Sequence, residues 1–530
     1  MQDGKELERL LTEGKITRRE FITRASALGL AAALSPALLT TPARAATPKK
    51  GGRLRLGLSG GSTADSLDPG TLNDTVPHSM NYALRNCLVE IDYKNEAIPE
   101  LAESWEPAPD AAKWTFKLRK GVEFHNGKTL EADDVIESVN YHRGEKSKSA
   151  VKSIVKQIKE IKADGKYAVT FTLEGGNADF PYIMSDYHLT IQPAGTAAAE
   201  FEKGVGTGGY MLVKHEPGVR ALLKRNPNYW KEGRAHFDEV EYTCISDVNA
   251  RTNAIKSGQI DVINYVELKT VHLLKRMAGV QINNVSGFRH IVIPMRCDKA
   301  PYNDSNVRTA LKLAVDREGM LKTTLRGYGA LGNDIPIARN QKFYASDIPQ
   351  RKYDPDKARF LMKKAGLQDH VFNLQASTAA FPGAIDAAVL YKEYASKAGI
   401  NIKVVQKPHD GYWKNVWMKN DWLMSFWGGR VTVDWMFATA YAEDSNWNET
   451  FWKNDRFNKL LKEARAELDD TKRRAMYTEM QLLVRDDGGA LIPMFSNYVE
   501  AATKKLQITN PAGNWELDGQ RCTERWWFSS

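Results

Sequence analysis

Cysteine is scarce in this 530-residue chain: Cys87, Cys244, Cys297 and Cys522 lie far apart and form no CxxC pair. That spacing excludes a zinc ribbon or a thioredoxin-like motif. It allows one or two disulfides without saying which cysteines would pair. HExxH is missing, and the ten histidines are scattered singly, so each reads as structural and no metal or cofactor is expected. Lys and Arg form no block, and a formal net charge of +9 over this length gives no nucleic-acid arm. Internal repeats and low-complexity tracts are absent. What remains is ordinary globular composition, 42% hydrophobic and 26% charged, enough for two or three domains with a large core.

The N-terminus reads as an export signal. Thr17-Arg18-Arg19-Glu20-Phe21-Ile22 is a paired-arginine motif, Ala25 to Leu39 is an uncharged Ala/Leu/Gly run, and Ala43-Arg44-Ala45 is an A-x-A cleavage site. The run is shorter than the roughly 20 residues a membrane helix needs. No cysteine stands at the cleavage point for a lipid anchor. The expectation is a twin-arginine signal over residues 1–45, a mature chain from about Ala46, and a periplasmic location.

The densest chemistry lies between Tyr412 and Trp452. Trp413, Trp417, Trp422, Trp427, Trp435, Trp447 and Trp452 are seven of the chain's 13 tryptophans. Among them sits Phe426-Trp427-Gly428-Gly429-Arg430, followed by Asp434-Trp435. Paired glycines let backbone approach a partner closely. Arg430 can fork onto a carboxylate or lie on a ring, and Asp434 adds an acceptor. Any one Trp reads as core packing; the group Trp427 to Arg430 reads as the wall of a ligand site. A second candidate is Gly60-Gly61-Ser62-Thr63, a loop of N–H and hydroxyl donors after the alternating strand Arg53 to Leu58.

Two glycine patterns are set aside. Gly57-Leu58-Ser59-Gly60-Gly61 fits the G-x-S-x-G nucleophile pattern, but loop residues follow where that turn needs a helix. Gly204 to Gly209 fits G-x-G-x-x-G, but a helical run precedes it and a strand, Tyr210 to Val213, follows, the reverse of a dinucleotide site. Trp114, Phe116 and Leu118 alternate as a strand, and a helix is expected after Thr129. Residues 150–173 read as a pair of half-buried strands, and 356–365 and 457–467 as amphipathic helices.

Leu101-Ala102-Glu103-Ser104-Trp105, then Phe116-Lys117-Leu118-Arg119-Lys120-Gly121-Val122 and Phe124-His125-Asn126-Gly127, resemble a pattern of extracytoplasmic solute-binding proteins. The relatives in question are the peptide/nickel type, the dipeptide- and oligopeptide-binding proteins of ABC importers. Gly206-Thr207-Gly208-Gly209-Tyr210, Arg225-Asn226-Pro227-Asn228-Tyr229-Trp230, Ala254 to Asp261, Asn306 to Arg317, and Tyr353-Asp354-Pro355 through Lys363-Lys364-Ala365-Gly366 resemble later segments of that family in the same order. The resemblance covers roughly residues 50–530.

It implies an α/β, two-lobed periplasmic-binding-protein fold of the cluster C type, with a hinge and an extra subdomain. The first lobe would take residues 46–81, the extra subdomain 82–204, then 205–298 and a C-terminal return over 498–530. The second lobe would be 299–497. Solute would be buried between lobes, touched by Gly60, Gly61, Ser62 and Thr63 from the first and by Trp413, Trp427, Gly428, Gly429, Arg430, Asp434 and Trp435 from the second. A monomer would then deliver it to an inner-membrane ABC permease with its ATPase. An enzyme is not expected, because no nucleophile or metal set stands beside an oriented base; the alternatives are a secreted enzyme on this scaffold or a sensory binding protein without a transporter. One departure bears on the solute. In dipeptide and oligopeptide binders an Asp follows W-x-G and pairs with the peptide ammonium; here Gly429 and then Arg430 stand there. The change of sign favours an opine-like conjugate, an acidic small molecule or a modified peptide with an acidic or polyhydroxyl group near Arg430, while backbone contacts leave a plain di- or oligopeptide open as the solute.

Overall fold

The computed structural model describes residues 48–72, 74–408 and 411–529. The paired arginines, the apolar run and the A-x-A site therefore lie outside the described residues. Lys49 to Ser530 form one compact unit.

Arg53–Leu58 alternates as expected, with Leu54, Leu56 and Leu58 buried. The three leucines line one face, and pairing on both edges makes the strand the centre of a seven-stranded sheet. It runs parallel to Glu239–Cys244 on one side and to Val262–Ile263 on the other. The order across the sheet is 280–285, 498–503, 262–263, 53–58, 239–244, 220–225 and 210–216. Loops leaving the carboxyl ends of parallel strands are where open α/β sheets hold ligands. Two such ends are tied together here, Ser59 N donating to Asn264 Oδ1 at 2.9 Å.

A second, antiparallel sheet has the order 329–331, 490–496, 290–294 and 425–427. The chain passes between these two sheets twice, at residues 286–289 and at Asn497. Both passages are short, which brings the edges of the sheets close. A third sheet, in the order 102–107, 113–118, 168–173, 158–163, packs Trp114, Phe116 and Leu118 into its own core from Leu88 to Ile191.

The helix expected after Thr129 spans Ala132–Tyr141 and is opened by a capping box between Glu131 and Asp134. The amphipathic helices span Pro355–Lys364 and Asp455–Ala466. In the 150–173 stretch the pairing begins only at Ile158, because Lys152–Val155 turns as a short helix. Ala198–Lys203 is a 3-10 helix and Tyr210–Glu216 a strand, so Gly204 to Gly209 has no dinucleotide context. All four cysteines are free thiols.

Candidate functional site

The tryptophan stretch divides by burial. Trp422 and Trp452 are core residues; Trp422 meets Tyr302, Phe372 and Tyr391, and Trp452 donates from Nε1 to Asp487 at 2.8 Å. Trp413 and Trp447 are 40% and 48% exposed, too much for core packing. Between these extremes lies a wall of rings. Trp413 meets Phe426 and Trp417, Trp417 meets Trp447, and Trp447 meets Trp427, with centroids 5.7–6.5 Å apart.

One buried carboxylate organises that wall. Glu449 accepts from Trp417 Nε1 at 2.5 Å, Trp427 Nε1 at 2.8 Å and Ser425 Oγ at 3.1 Å. Burial pushes its carboxyl up to about 7, although the three donors pull the other way. Sequence reading missed this residue, since Asn448-Glu449-Thr450 looks like a polar loop.

Trp427 ends the strand Ser425–Trp427, and the backbone then turns sharply. Gly429 has φ +84°, and a Cβ there would fall 2.2 Å from Phe288 Cβ, so only glycine fits. Gly428 is roomier: a Cβ would meet only Trp515, at 3.7 Å. The Arg430 guanidinium lies 5.8 Å from the Trp427 ring and 5.9 Å from the Trp435 ring. Its one hydrogen bond among the described residues runs from Nη1 to its own Gly429 carbonyl at 2.6 Å. Burial lowers its pKa, and Tyr187 and Asp186 partly offset that. Trp435 is set by the helix Val433–Ala440, whose cap Thr432 Oγ1 accepts from Trp435 N at 3.2 Å.

Asp434, expected as an acceptor beside Arg430, is paired instead with Arg465, whose Nε lies 3.1 Å from both carboxylate oxygens. That bond joins the first turn of its helix to Asp455–Ala466. Burial lifts its pKa to about 6 against the pull of Arg465.

The loop Gly60 to Thr63 makes no described contact with Trp427 to Trp435. Ser62 is engaged locally: its N donates to Asp65 at 2.8 Å, and its Oγ accepts from Ala64 N at 3.2 Å. Gly60 and Gly61 are required by close packing, since a Cβ would strike Asp74 at 2.5 Å and Cys244 Sγ at 2.4 Å. This packing seats the start of the helix Thr75–Leu84, where Val76 N bonds Gly60 O at 2.8 Å.

What faces Gly428 is Trp515. It lies edge-on to Tyr187 at 6.0 Å, and Tyr187 stacks on His78 at 3.8 Å. Beside it the buried Glu516 accepts from Thr75 Oγ1 at 2.5 Å, Tyr265 Oη at 2.9 Å and Asn264 Nδ2 at 3.1 Å. Leu517, Asp518 and Gln520 all have left-handed backbone, at φ 52°, 60° and 65°. Asp518 braces that strained turn by accepting from Ala512 N and Trp526 Nε1 at 2.7 and 3.0 Å. Strain so firmly held is common where a chain must present particular side chains. Nothing in the local sequence marks Trp515, Glu516 or Tyr187.

Among the described residues one carboxylate group comes close enough together for a metal, Glu90, Glu100 and Glu524. Lys231 Nζ already sits among them at 2.6, 2.8 and 2.9 Å, so an ammonium takes the cation's place.

The geometry thus sets an aromatic, arginine-bearing wall, at Gly428, against Trp515, with Tyr187 and Glu516 beside it. Residues 96–449 match the family described as bacterial extracellular solute-binding proteins, family 5 Middle. The chain belongs to that family. This member is 26% identical over 528 residues to the dipeptide-binding protein of Escherichia coli K12, covering 88% of this chain and 97% of that one. It is 24% identical over 470 residues to the glutathione-binding protein GsiB of Pectobacterium atrosepticum, covering 84% and 89%. Among solved structures it is similar to DppA of Helicobacter pylori in complex with the peptide STSA, with TM-score 0.77, 22% identity and coverage of 91% and 99%. It is also similar to AgaA of A. tumefaciens R10 in complex with agropinic acid, with TM-score 0.75, 24% identity and coverage of 90% and 99%. The family member has the two-lobed, mixed α/β periplasmic-binding-protein fold of these structures.

Proposed function

We propose that this family member captures a peptide-like or opine-like small solute between its lobes and delivers it to an ABC permease with its ATPase. The lobes would meet at residues 286–289 and Asn497, where the chain crosses between sheets, with 82–204 as the extra subdomain. This puts His290–Pro294 in the second lobe, a little earlier than the boundary expected after residue 298. The protein would act as a monomer in the periplasm after export by the twin-arginine route.

The solute would contact Trp413, Trp427, Gly428, Gly429, Arg430 and Trp435 on one lobe and Trp515 and Tyr187 on the other. Asp434 and the loop Gly60 to Thr63 would support the two walls from behind. A solute that touches both lobes stabilises the closed form, because only there are all contacts made together.

The observation that carries the reading is the Arg430 guanidinium. It lies within 6 Å of two indole rings and, among the described residues, has no carboxylate partner. A free peptide ammonium beside it would meet a like charge; a carboxylate or a hydroxyl cluster would find donors. Calorimetry of mixed dipeptides against sugar-acid and N-carboxyalkyl amino acid conjugates tests this. We expect the conjugates to bind and Arg430→Ala to weaken them by about 10- to 100-fold, the worth of a charge-assisted hydrogen bond. Tight binding of unmodified dipeptides, unchanged in Arg430→Ala, would refute the acidic-solute reading.

A further inference from the structure

We propose that a basic groove beside the edge of the third sheet is a docking surface for an anionic phospholipid bilayer, separate from the solute site and independent of how that site is read. The stretch from Arg143 to Lys166 holds eight Lys or Arg and three Asp or Glu. Its net charge of +5 is more than half of the +9 carried by the whole chain. The basic residues stand singly, two to four positions apart, so they form no block in the sequence. Folding brings Arg143, Lys152 and Lys156 onto one cavity.

The groove is built where the helix Ala132–Tyr141 hands over to the edge strand Ile158–Ala163. Gly144 turns the chain at φ +88°, and Ala150 N is pinned to Gly70 O at 2.9 Å. Val151 and Val155 are buried in the core of the third sheet, leaving Ser153 and Lys156 of the same short turn exposed. Arg143 bridges the two banks. Its Nη1 donates to Asn140 Oδ1 at 2.7 Å, and its Nη2 to the carbonyls of Ile158 and Lys159 at 2.5 and 3.1 Å. Lys152 Nζ donates to the Glu145 carbonyl at 2.7 Å. The result is a cavity of about 1130 Å³ lined by Asn140, Arg143, Lys152, Ser153, Lys156 and Ile158; Glu145 lines it as well.

Much of the charge there is unspent. Lys162 pairs with Glu160 and Lys166 with Glu131, each at 2.8 Å. Lys146, Lys148, Lys156 and Lys159 are exposed and, among the described residues, have no acidic partner. The residue type points to the occupant. Seven of the eight basic residues are Lys, a hydrated point charge on a flexible stem, without the planar fork that reads one carboxylate. Protein interfaces are depleted in Lys and enriched in aromatic residues and Arg. No large apolar side chain between Arg143 and Lys166 is exposed for such a partner to cover. A sheet of phosphate headgroups needs no such anchor, because each Lys near it adds attraction by proximity alone. The cavity gives headgroups room to enter between Arg143, Lys152 and Lys156.

The test is flotation of the protein with vesicles of phosphatidylglycerol and phosphatidylethanolamine, set against vesicles of phosphatidylcholine. The protein should float with the anionic vesicles at low ionic strength and be released at about 1 M salt, where the Debye length falls to about 3 Å. Lys152→Gln, Lys156→Gln and Lys159→Gln together should weaken partitioning by about 100-fold, about fivefold for each lysine. The same charge removed from the exposed side of the helix Pro355–Lys364, by Lys357→Gln, Lys363→Gln and Lys364→Gln, should leave partitioning as in wild type. Melting curves show whether each triple variant is folded, and the vesicle comparison and salt release rest on wild type alone. Equal partitioning onto phosphatidylcholine, or equal losses in the two folded triple variants, would overturn the inference. So would failure to float with the anionic vesicles: with capture on polyglutamate beads it would assign the groove to an acidic protein, with calorimetric binding of glycerol 3-phosphate to a small anion, and with neither to a solvated face. Each of these results leaves the Arg430 reading as it stands.

Discussion

Glu449 shows how one residue can set a whole surface. Its carboxylate holds the indoles of Trp417 and Trp427 in place, so the ring wall is ordered in advance of any binding. Because burial raises its pKa from the ordinary 4.5 to about 7, the folded state binds a proton there that the unfolded chain has released. The sign follows: this contribution is fully present below about pH 4.5 and is lost as pH rises toward 7, by about 3 kcal/mol. Glu449→Gln cannot titrate, so the difference in stability between it and wild type should change with pH across that window. At neutral pH the amide leaves one indole N–H poorly paired, which should cost about 1–3 kcal/mol. Urea denaturation at several pH values, followed by tryptophan fluorescence, measures both. A difference flat from pH 4.5 to 7 would refute the assignment. Glu500, also raised to about 7, titrates alike in both proteins and cancels.

At the scale of elements, the turn after Ser425–Trp427 carries the argument. Gly429 and Gly428 look alike in sequence and differ in space. Gly429→Ala places a methyl on the Phe288 backbone in a left-handed conformation and should destabilise by at least about 2 kcal/mol. Gly428→Ala adds a methyl with only Trp515 in reach and should melt within a degree or two of wild type, while disturbing binding more than folding. Differential scanning calorimetry distinguishes them; equal melting would mean that the turn is not held against Phe288. Local periodicity made the elements themselves legible: Arg53–Leu58, the Trp114-Phe116-Leu118 strand and the helices near 132, 355 and 455 follow from alternation, capping and amphipathic spacing. The tryptophan cluster and Arg430 were visible because their composition is rare. Glu449, Trp515, Glu516 and Tyr187 were not, because each acquires its role from partners distant in sequence. The partners of Asp434 and Ser62, Arg465 and Asp65, were hidden for the complementary reason: sequence distance in the one case and turn geometry in the other.

Across the molecule, the walls are joined away from the rings as well. Arg473 pairs with Asp179 at 2.8 Å with both side chains buried, and Ala178 N donates to Arg465 O at 2.7 Å. Asn95 Nδ2 reaches Asn340 O at 3.2 Å. The first two of these contacts tie the body of the third sheet to the helices Asp455–Ala466 and Asp470–Asp486. A buried pair of this kind contributes little net stability over apolar contacts, but losing one partner strands the other. Such a pair fixes how the bodies it joins meet. The central claim is that the cleft is shaped for an acidic guest. Native mass spectrometry of the protein purified from its own periplasm, followed by release and identification of what it carries, tests that most directly. The account predicts a small molecule bearing at least one carboxylate or equivalent acid, lost on Arg430→Ala. A neutral or purely cationic guest, retained by that variant, would contradict it.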